Sequence, residues 1–493
     1  MVFKNILLPA IFAGSFICAQ NAVSQQSAQI GNNSSIIIHF SSEPATYKLS
    51  KSPLKYNKDF AYSFTLDDGK EDAYTVAYPF FRGGTINSKS YPGLFYTDGC
   101  GNRIPFKGGL AMTSINTIGE DPHITGEENI KWPQVSEMHS AGWNIFNHSY
   151  NHASGVGTNY NYQITENRSY IKSKTGIDPT HFVIPSGDIN YIGPAYSNGM
   201  KAVYNENGFP GTDGFKVDGA IVLDQFKLYR RFLDDERFNP SNIKDKIDLI
   251  AAQSTNGNHY WFSEFTHHVS PQPKGGSLIF STFEYYMNYI SNTYGQKGSD
   301  RIWMAPLQEV YEYLAVRENV NVGEFKNLNT VEAMIDFSKV PRDLENYTLT
   351  ILVESDQSIT KVEGLGVSVV SFQGVGPNKL INLEWNQHPN TVTSTVDPQL
   401  IVAQCPISIA EINPNPVQNK IVLNLMSDKE DEITIFIIDN AGKEILLGNK
   451  RIHLYENNIE INIQEYQLAP GSYYIKLLSE EDKCETTKVI VKL

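Results

Sequence analysis

Short apolar runs alternate with amphipathic stretches from about 60 to 322, and this alternation constrains the fold more than any other feature of the chain. The runs at 60–64, 109–113, 143–146, 180–184, 201–204, 220–223, 261–265 and 301–304 read as strands. Helices are expected at 70–81, 164–175, 283–293 and 307–317, and from Trp132-Pro133 to Gly142. Proline suits a first helical turn and glycine the position after the last. Strands alternating with helices imply a parallel sheet. Polar residues gather just past two of the strands, as in a barrel that keeps its chemistry at the C-terminal ends of its strands.

The first cluster is Thr65-Leu66-Asp67-Asp68-Gly69, at the end of the run that starts at Phe60. Adjacent carboxylates raise each other's pKa, so placing two at a strand end has a cost. A bound cation removes it by taking one as a ligand and leaving the other free as a base. The second cluster is His148-Ser149-Tyr150-Asn151-His152, after the strand at 143–146. Histidines four apart can aim both rings at one ion. One carboxylate and two imidazoles with open positions for water make a hydrolytic metal site.

Together, in this order and at strand ends, the two clusters resemble the motifs of the polysaccharide deacetylase family, carbohydrate esterase family four. The family's first motif, Thr-Phe-Asp-Asp-Gly, is met by Thr65-Leu66-Asp67-Asp68-Gly69, and its second, His-Ser/Thr-x-x-His, by His148 to His152. The resemblance implies a distorted (β/α) barrel with fewer than eight complete units, here over 59–322. It implies a divalent metal, zinc by the family's habit, held by Asp68, His148 and His152. Asp67 would be the general base that deprotonates the water, and the backbone N–H of Ser186 would help to stabilise the oxyanion. The general acid would be His267 in Phe265-Thr266-His267, with His268 beside it as the other choice. The substrate would be an acetylated polysaccharide carrying N-acetyl or O-acetyl groups.

The third motif departs from the pattern. The family has Arg-x-x-Pro-Tyr, whereas Val183-Ile184-Pro185-Ser186 aligns only around its proline, and Val183 cannot charge-pair the base. Arg230 or Arg231 is the candidate replacement. The competing expectation is that both pair with Asp234, Asp235 or Glu236 at the surface. The fourth motif, with its tryptophan, has no clear counterpart. A non-catalytic glycan-binding surface protein built on the same barrel is the alternative function. The intact Asp67, Asp68, His148 and His152 set favours an enzyme, since a binder has no use for a base beside a metal.

At 493 residues the chain should hold two or three domains, and 41% hydrophobic content supports packed cores rather than disorder. Its net charge of −14 argues against nucleic-acid partners and anionic membrane surfaces. Residues 1–19 read as a secretory signal peptide: Lys4, an apolar stretch, then Ala19. Residues 20–58 read as a polar extension with one strand and 82–106 as a loop-like insertion that could border a groove. Past 322 the pattern shifts to period-two alternation, so 323–402 reads as a small β-domain, a sandwich serving as spacer. A second all-β module is expected at 403–493. It resembles the sorting domain of type IX secretion substrates through Ile412-Asn413-Pro414-Asn415-Pro416, Leu468-Ala469-Pro470-Gly471-Ser472-Tyr473-Tyr474 and the closing Lys488-Val489-Ile490-Val491-Lys492-Leu493. The type IX machinery would then be a partner and the destination extracellular or the cell surface. Beyond the signal, Cys100, Cys405 and Cys484 remain; the last two share a module and could pair.

Overall fold

The computed structural model describes residues 33–206, 214–234, 242–270, 277–389, 407–415, 417–427, 429–439, 443–453, 455–479 and 485–492. The expected signal peptide, Cys405, Cys484, Asp235 and Glu236 lie outside them.

Ten strands build the central sheet: β1 (Phe60–Asp67), β2 (Gly109–Met112), β3 (Asn144–Asn147), β4 (His181–Val183), β5 (Ala202–Asn205), β6 (Phe226–Tyr229), β7 (Arg231–Phe232), β8 (Tyr260–Thr266), β9 (Ile302–Met304) and the short Phe215–Lys216, which pairs antiparallel with β8. The neighbours run β8-β1-β2-β3-β4-β5-β6, all parallel, and β9 lies along the first half of β1. β6 and β7 are two halves of one strand bent at Arg230. The first half pairs with β5 and the second with β8, bringing the sheet round to a nearly closed barrel. Every residue of β1 is buried, as expected of a strand covered on both faces. Thr65 and Asp67 share the face reached by Arg230, while Phe64 packs outward on Phe81 and Phe283.

Helices α1 (Trp132–Ser140), α2 (Tyr160–Thr175), α3 (Asp245–Gln253), α4 (Phe280–Thr293) and α5 (Leu307–Asn319) are the main ones of this region. Four of the five expected helices lie close to their places. The fifth, over 70–81, splits into a π-helical turn (Ala73–Ala77) and a short α-helix (Tyr78–Arg82). The strand expected at 220–223 is absent: Ile221 and Leu223 pack on the core from non-strand backbone, and the strand begins at Phe226. Apolar content alone misplaced it.

Two further corrections concern the flanks. The stretch at 82–106 forms two hairpins, Gly84–Ile86 with Lys89–Tyr91 and Phe95–Thr97 with Arg103–Pro105. The second packs on the β-domain, where Asp98 accepts hydrogen bonds from Ser371 (2.6 Å, side chain) and Asn382 (2.8 Å, at its carbonyl). The described part of the 20–58 extension, from Asn33 on, is not separate from the β-domain. Asn33–Phe40 joins a sheet with Asn321–Asn327, Thr330–Asp336 and Ile359–Leu365, and Tyr47–Lys51 pairs with Tyr347–Ser355 in a second four-stranded sheet. Trp385 links the sheets by donating to Ser34 (2.8 Å). A strand's distant partners are set by register, which local composition does not encode. The final module has its own apolar core, built from Ile421, Ile435 and Ile475 among others.

Candidate active site

β1 delivers Asp67 and then turns sharply: Asp68 and Gly69 have φ of 65° and 58°. Glycine is required at the second position, because a Cβ there would lie 2.8 Å from His123 Cε1 and Met112 Sδ. β3 ends at Asn147, and its loop places His148 and His152 with Ser149 and His152 in left-handed backbone. Left-handed non-glycine residues cost about 1–3 kcal/mol each and persist where the surroundings over-determine them. Buried bonds do so here. Asn147 Oδ1 accepts from Ser149 N–H (3.0 Å) and Asn167 Nδ2 (2.8 Å), tying the loop to α2.

His148 Nδ1 lies 2.9 Å from the Val183 carbonyl at the end of β4. That carbonyl can only accept, so the proton sits on Nδ1 and the Nε2 lone pair faces inward. Nε2 of His148 is 3.5 Å, and Nε2 of His152 3.6 Å, from Asp68 Oδ1. Asp68 Oδ1 and His148 Nε2 are both buried and make no hydrogen bond. Buried acceptors that face one another without a donor are costly. One carboxylate oxygen and two imidazole nitrogens, mutually within 4.8 Å, therefore fit a divalent cation. Burial would raise the Asp68 carboxyl, but His148 and His152 hold it far below the usual carboxylate range. Burial, then the neighbouring His148, pushes His152 down, which favours the neutral ring a ligand must have.

Asp67 is not part of that convergence. It is 2% exposed and is held by Arg230 through two parallel bonds, Nη1 to Oδ1 at 2.8 Å and Nη2 to Oδ2 at 2.9 Å. Nη1 also donates to Thr65 Oγ1 (2.7 Å), and the guanidinium lies 4.1 Å from the Phe265 ring centre. Burial would raise the Asp67 carboxyl; Arg230 outweighs it, helped by His148, and keeps it below the ordinary value. The two arginines are thus buried rather than surface-paired with Asp234. Arg231 goes to Glu264 (2.9 Å), itself held by Tyr62 and Tyr286 at 2.7 Å each.

Asp234 instead meets His267. Its Oδ2 is 3.2 Å from His267 Nδ1, and its Oδ1 accepts from Thr266 Oγ1 at 2.6 Å. Burial would lower His267, but the bond to Asp234 and the charges of Asp67 and Asp68 raise it. His268 turns to Asp72 (3.0 Å). Ser186 lies in a left-handed turn (φ 53°) directly beyond β4. Asp234 and Thr65 were missed in the sequence. The signal for Asp234 was its place four residues past Arg230, on the same run of chain.

Residues 55–209 match the family model described as Polysaccharide deacetylase, and residues 411–492 match Secretion system C-terminal sorting domain. The chain thus carries a polysaccharide deacetylase domain and a C-terminal sorting domain of the type IX secretion system, which directs it to the exterior or the cell surface. Solved structures similar to it include a Streptococcus pyogenes deacetylase, PplD, in complex with acetate. It is 17% identical over 37% of this chain and 69% of that one, with a TM-score of 0.26. The BpsB deacetylase domain from Bordetella bronchiseptica is 14% identical over 41% and 71%, with a TM-score of 0.23. Scores this low add nothing to the fold or site described above. No curated protein matches the chain. The matched segment ends before Arg230, Asp234 and His267, so their place at the site rests on geometry.

Proposed function

We propose that this protein is a secreted metal-dependent hydrolase that removes acetyl groups, N- or O-linked, from a polysaccharide. The observation that carries the proposal is the buried, bidentate Arg230–Asp67 pair beside three convergent metal-type donors. Asp68, His148 and His152 would hold the cation; when bound, zinc or a similar ion supplies a Lewis acid that polarises an acyl oxygen and acidifies water. Asp67, kept ionised by Arg230 and turned edge-on to it, takes a proton from the attacking water. The water oxygen bonds to the acetyl carbon, and the carbonyl electron pair moves to an oxyanion that the Ser186 N–H stabilises. His267, whose proton Asp234 retains, protonates the departing amine or alkoxide as the carbonyl re-forms. Acetate and a free amino or hydroxyl group leave.

A glycan binder on the same barrel is the competing reading, and its ground was the missing third-motif arginine. Arg230 on Asp67 supports the enzyme, because a binder gains nothing from an oriented, ionised carboxylate that ligates nothing. Acetate release from a panel of acetylated glycans by the zinc-loaded protein tests the proposal. Release that disappears in His152→Ala is expected. No acetate from any glycan, or equal release by the variant, overturns it.

A further inference from the structure

The two histidines that converge on Asp68 are held in different ways. The His148 backbone N–H donates to the Met112 carbonyl (3.0 Å), its ring is fixed by the Val183 carbonyl, and its side chain is 2% exposed. The His152 side chain is 35% exposed, and its backbone is left-handed (φ 61°). Among the described residues no hydrogen bond reaches its ring or its backbone. Its position must therefore come from the residues on either side of it.

Before His152, the Asn151 N–H donates to Gln163 Oε1 of α2 (3.1 Å). After it, the holding groups come from the segment beyond β4. The buried Tyr191 donates its hydroxyl to the Ala153 carbonyl (2.5 Å). Asp188 Oδ2 accepts from the Gly155 N–H and the Tyr160 hydroxyl, each at 2.8 Å. The other Asp188 oxygen accepts from the Asn190 N–H (3.1 Å) and Nδ2 (2.8 Å), which fixes the carboxylate in its own loop. Tyr191 packs on the rings of Tyr160 and Phe182, with centres 4.7 and 5.1 Å away. The same segment carries Ser186. The Asp188 N–H donates to the Pro185 carbonyl (3.1 Å), closing the turn on which Ser186 stands.

We infer that Asp188 and Tyr191 are positioning residues: they strap the chain after His152 to the Ser186 turn and so fix the outer metal ligand relative to the oxyanion donor. Both act through His152 and Ser186 rather than on the metal. The inference rests on the proposed ligand set. Groups that orient a ligating histidine from outside are worth about 10–100-fold in metal affinity.

The test is the zinc affinity of the full-length protein, by competition with a chelator, and the visible absorption of its cobalt(II) form; neither needs a substrate. Tyr191→Phe keeps the ring and removes the hydroxyl, and Asp188→Ala removes the carboxylate. Each should weaken zinc about tenfold or more and change the cobalt band. Asp188→Asn keeps an acceptor for Gly155 and should fall between Asp188→Ala and the unaltered protein. In the loaded enzyme kcat should fall more than KM rises, because the Ser186 N–H serves the transition state. Tyr196→Phe is the control: it loses a hydroxyl bond to the Phe226 carbonyl (2.6 Å) from the helix that follows Tyr191, Ile192–Ser197. It should lose stability and keep its zinc. Unchanged zinc affinity in Tyr191→Phe and Asp188→Asn overturns the strap, and these two decide even where Asp188→Ala does not fold. An equal loss of affinity in Tyr196→Phe also overturns it, by making the effect one of general stability. An unaltered protein that binds no zinc overturns the ligand set and the strap together. The expected zinc pattern in a protein that releases no acetate upholds the strap and overturns the deacetylase reading.

Discussion

Replacing Arg230 with methionine keeps most of the volume and removes the charge, and the structure sets the size of the effect. Arg230 is fully buried and Asp67 is 2% exposed, so the change strands a buried carboxylate. Breaking such a pair costs about 3–5 kcal/mol. The sign with pH follows from the two opposing influences on Asp67. In the native protein Arg230 overrides burial and lowers its pKa, so the pair's stabilisation is present above the unfolded value and fades as pH falls through the folded one. Without Arg230 burial wins and the folded pKa rises, so the penalty is greatest near neutrality and shrinks as pH falls toward about 4. Denaturant unfolding in chelator, at several pH values, measures this without a metal to compensate. Asp67→Asn in the same background should recover much of the loss, a coupling of about 0.5–3 kcal/mol. Turnover of the metal-loaded Arg230→Met enzyme should fall about 10²-fold with normal metal content, as expected when a reacting group loses its orientation. Arg230→Lys should rescue stability better than turnover, since it keeps the charge and loses the fork. A cost that is the same at all pH values and strictly additive with Asp67→Asn would refute the ion-pair reasoning.

His148→Ala and His152→Ala should each lose stoichiometric metal at wild-type affinity, read by metal analysis; retention in both sinks the ligand assignment. Asp67→Asn should keep metal and lose activity about 10²–10⁴-fold, whereas loss of metal with the fold intact would exchange the roles of Asp67 and Asp68. Asp234→Asn removes the chief influence raising His267 against burial, so the basic limb of the pH–rate profile should move to lower pH. The same variant should lose stability mainly below about pH 6.5, where a raised histidine contributes most, and an unmoved limb excludes His267 as the acid. A chain ending at Val402 should keep its turnover but fail to reach the surface of a host with type IX secretion, and normal delivery would remove the sorting role.

The local parts of the site were legible because local chemistry writes them. An Asp-Asp-Gly turn and a four-residue histidine spacing are properties of neighbouring residues, and in the structure an Asp68 oxygen and the His148 and His152 ring nitrogens lie within 4.8 Å of one another. The parallel sheet was legible for the same reason, since each apolar run records its own burial. What failed was set at long range. The strand Asn33–Phe40 takes its partners from residues about 300 positions away, and only register with Thr330–Asp336 reveals that it closes a sheet. The hairpins within 82–106 were hidden by polar loop-like composition. Arg230 and Arg231 were indistinguishable in the sequence because both precede an acidic run. Strand alternation separates them, sending Arg230 to the barrel interior and Arg231 to Glu264.

That separation bears on how the site tolerates a third motif without arginine. Asp67 stands near the end of β1, and β7 reaches it from beyond β8, two strands round the barrel. The bend that closes the barrel is made at Arg230, whose N–H donates to Asn205 on one side while Leu233 N–H donates to Phe265 on the other (2.9 Å each). A residue at such a bend belongs to neither ladder alone, and its side chain is free to cross the interior. The guanidinium therefore arrives at Asp67 along a path independent of the turn at Pro185, where the family's arginine would have entered. Closure of the barrel and orientation of the Asp67 carboxylate are one structural event here. At that turn the Val183 carbonyl fixes the tautomer of His148.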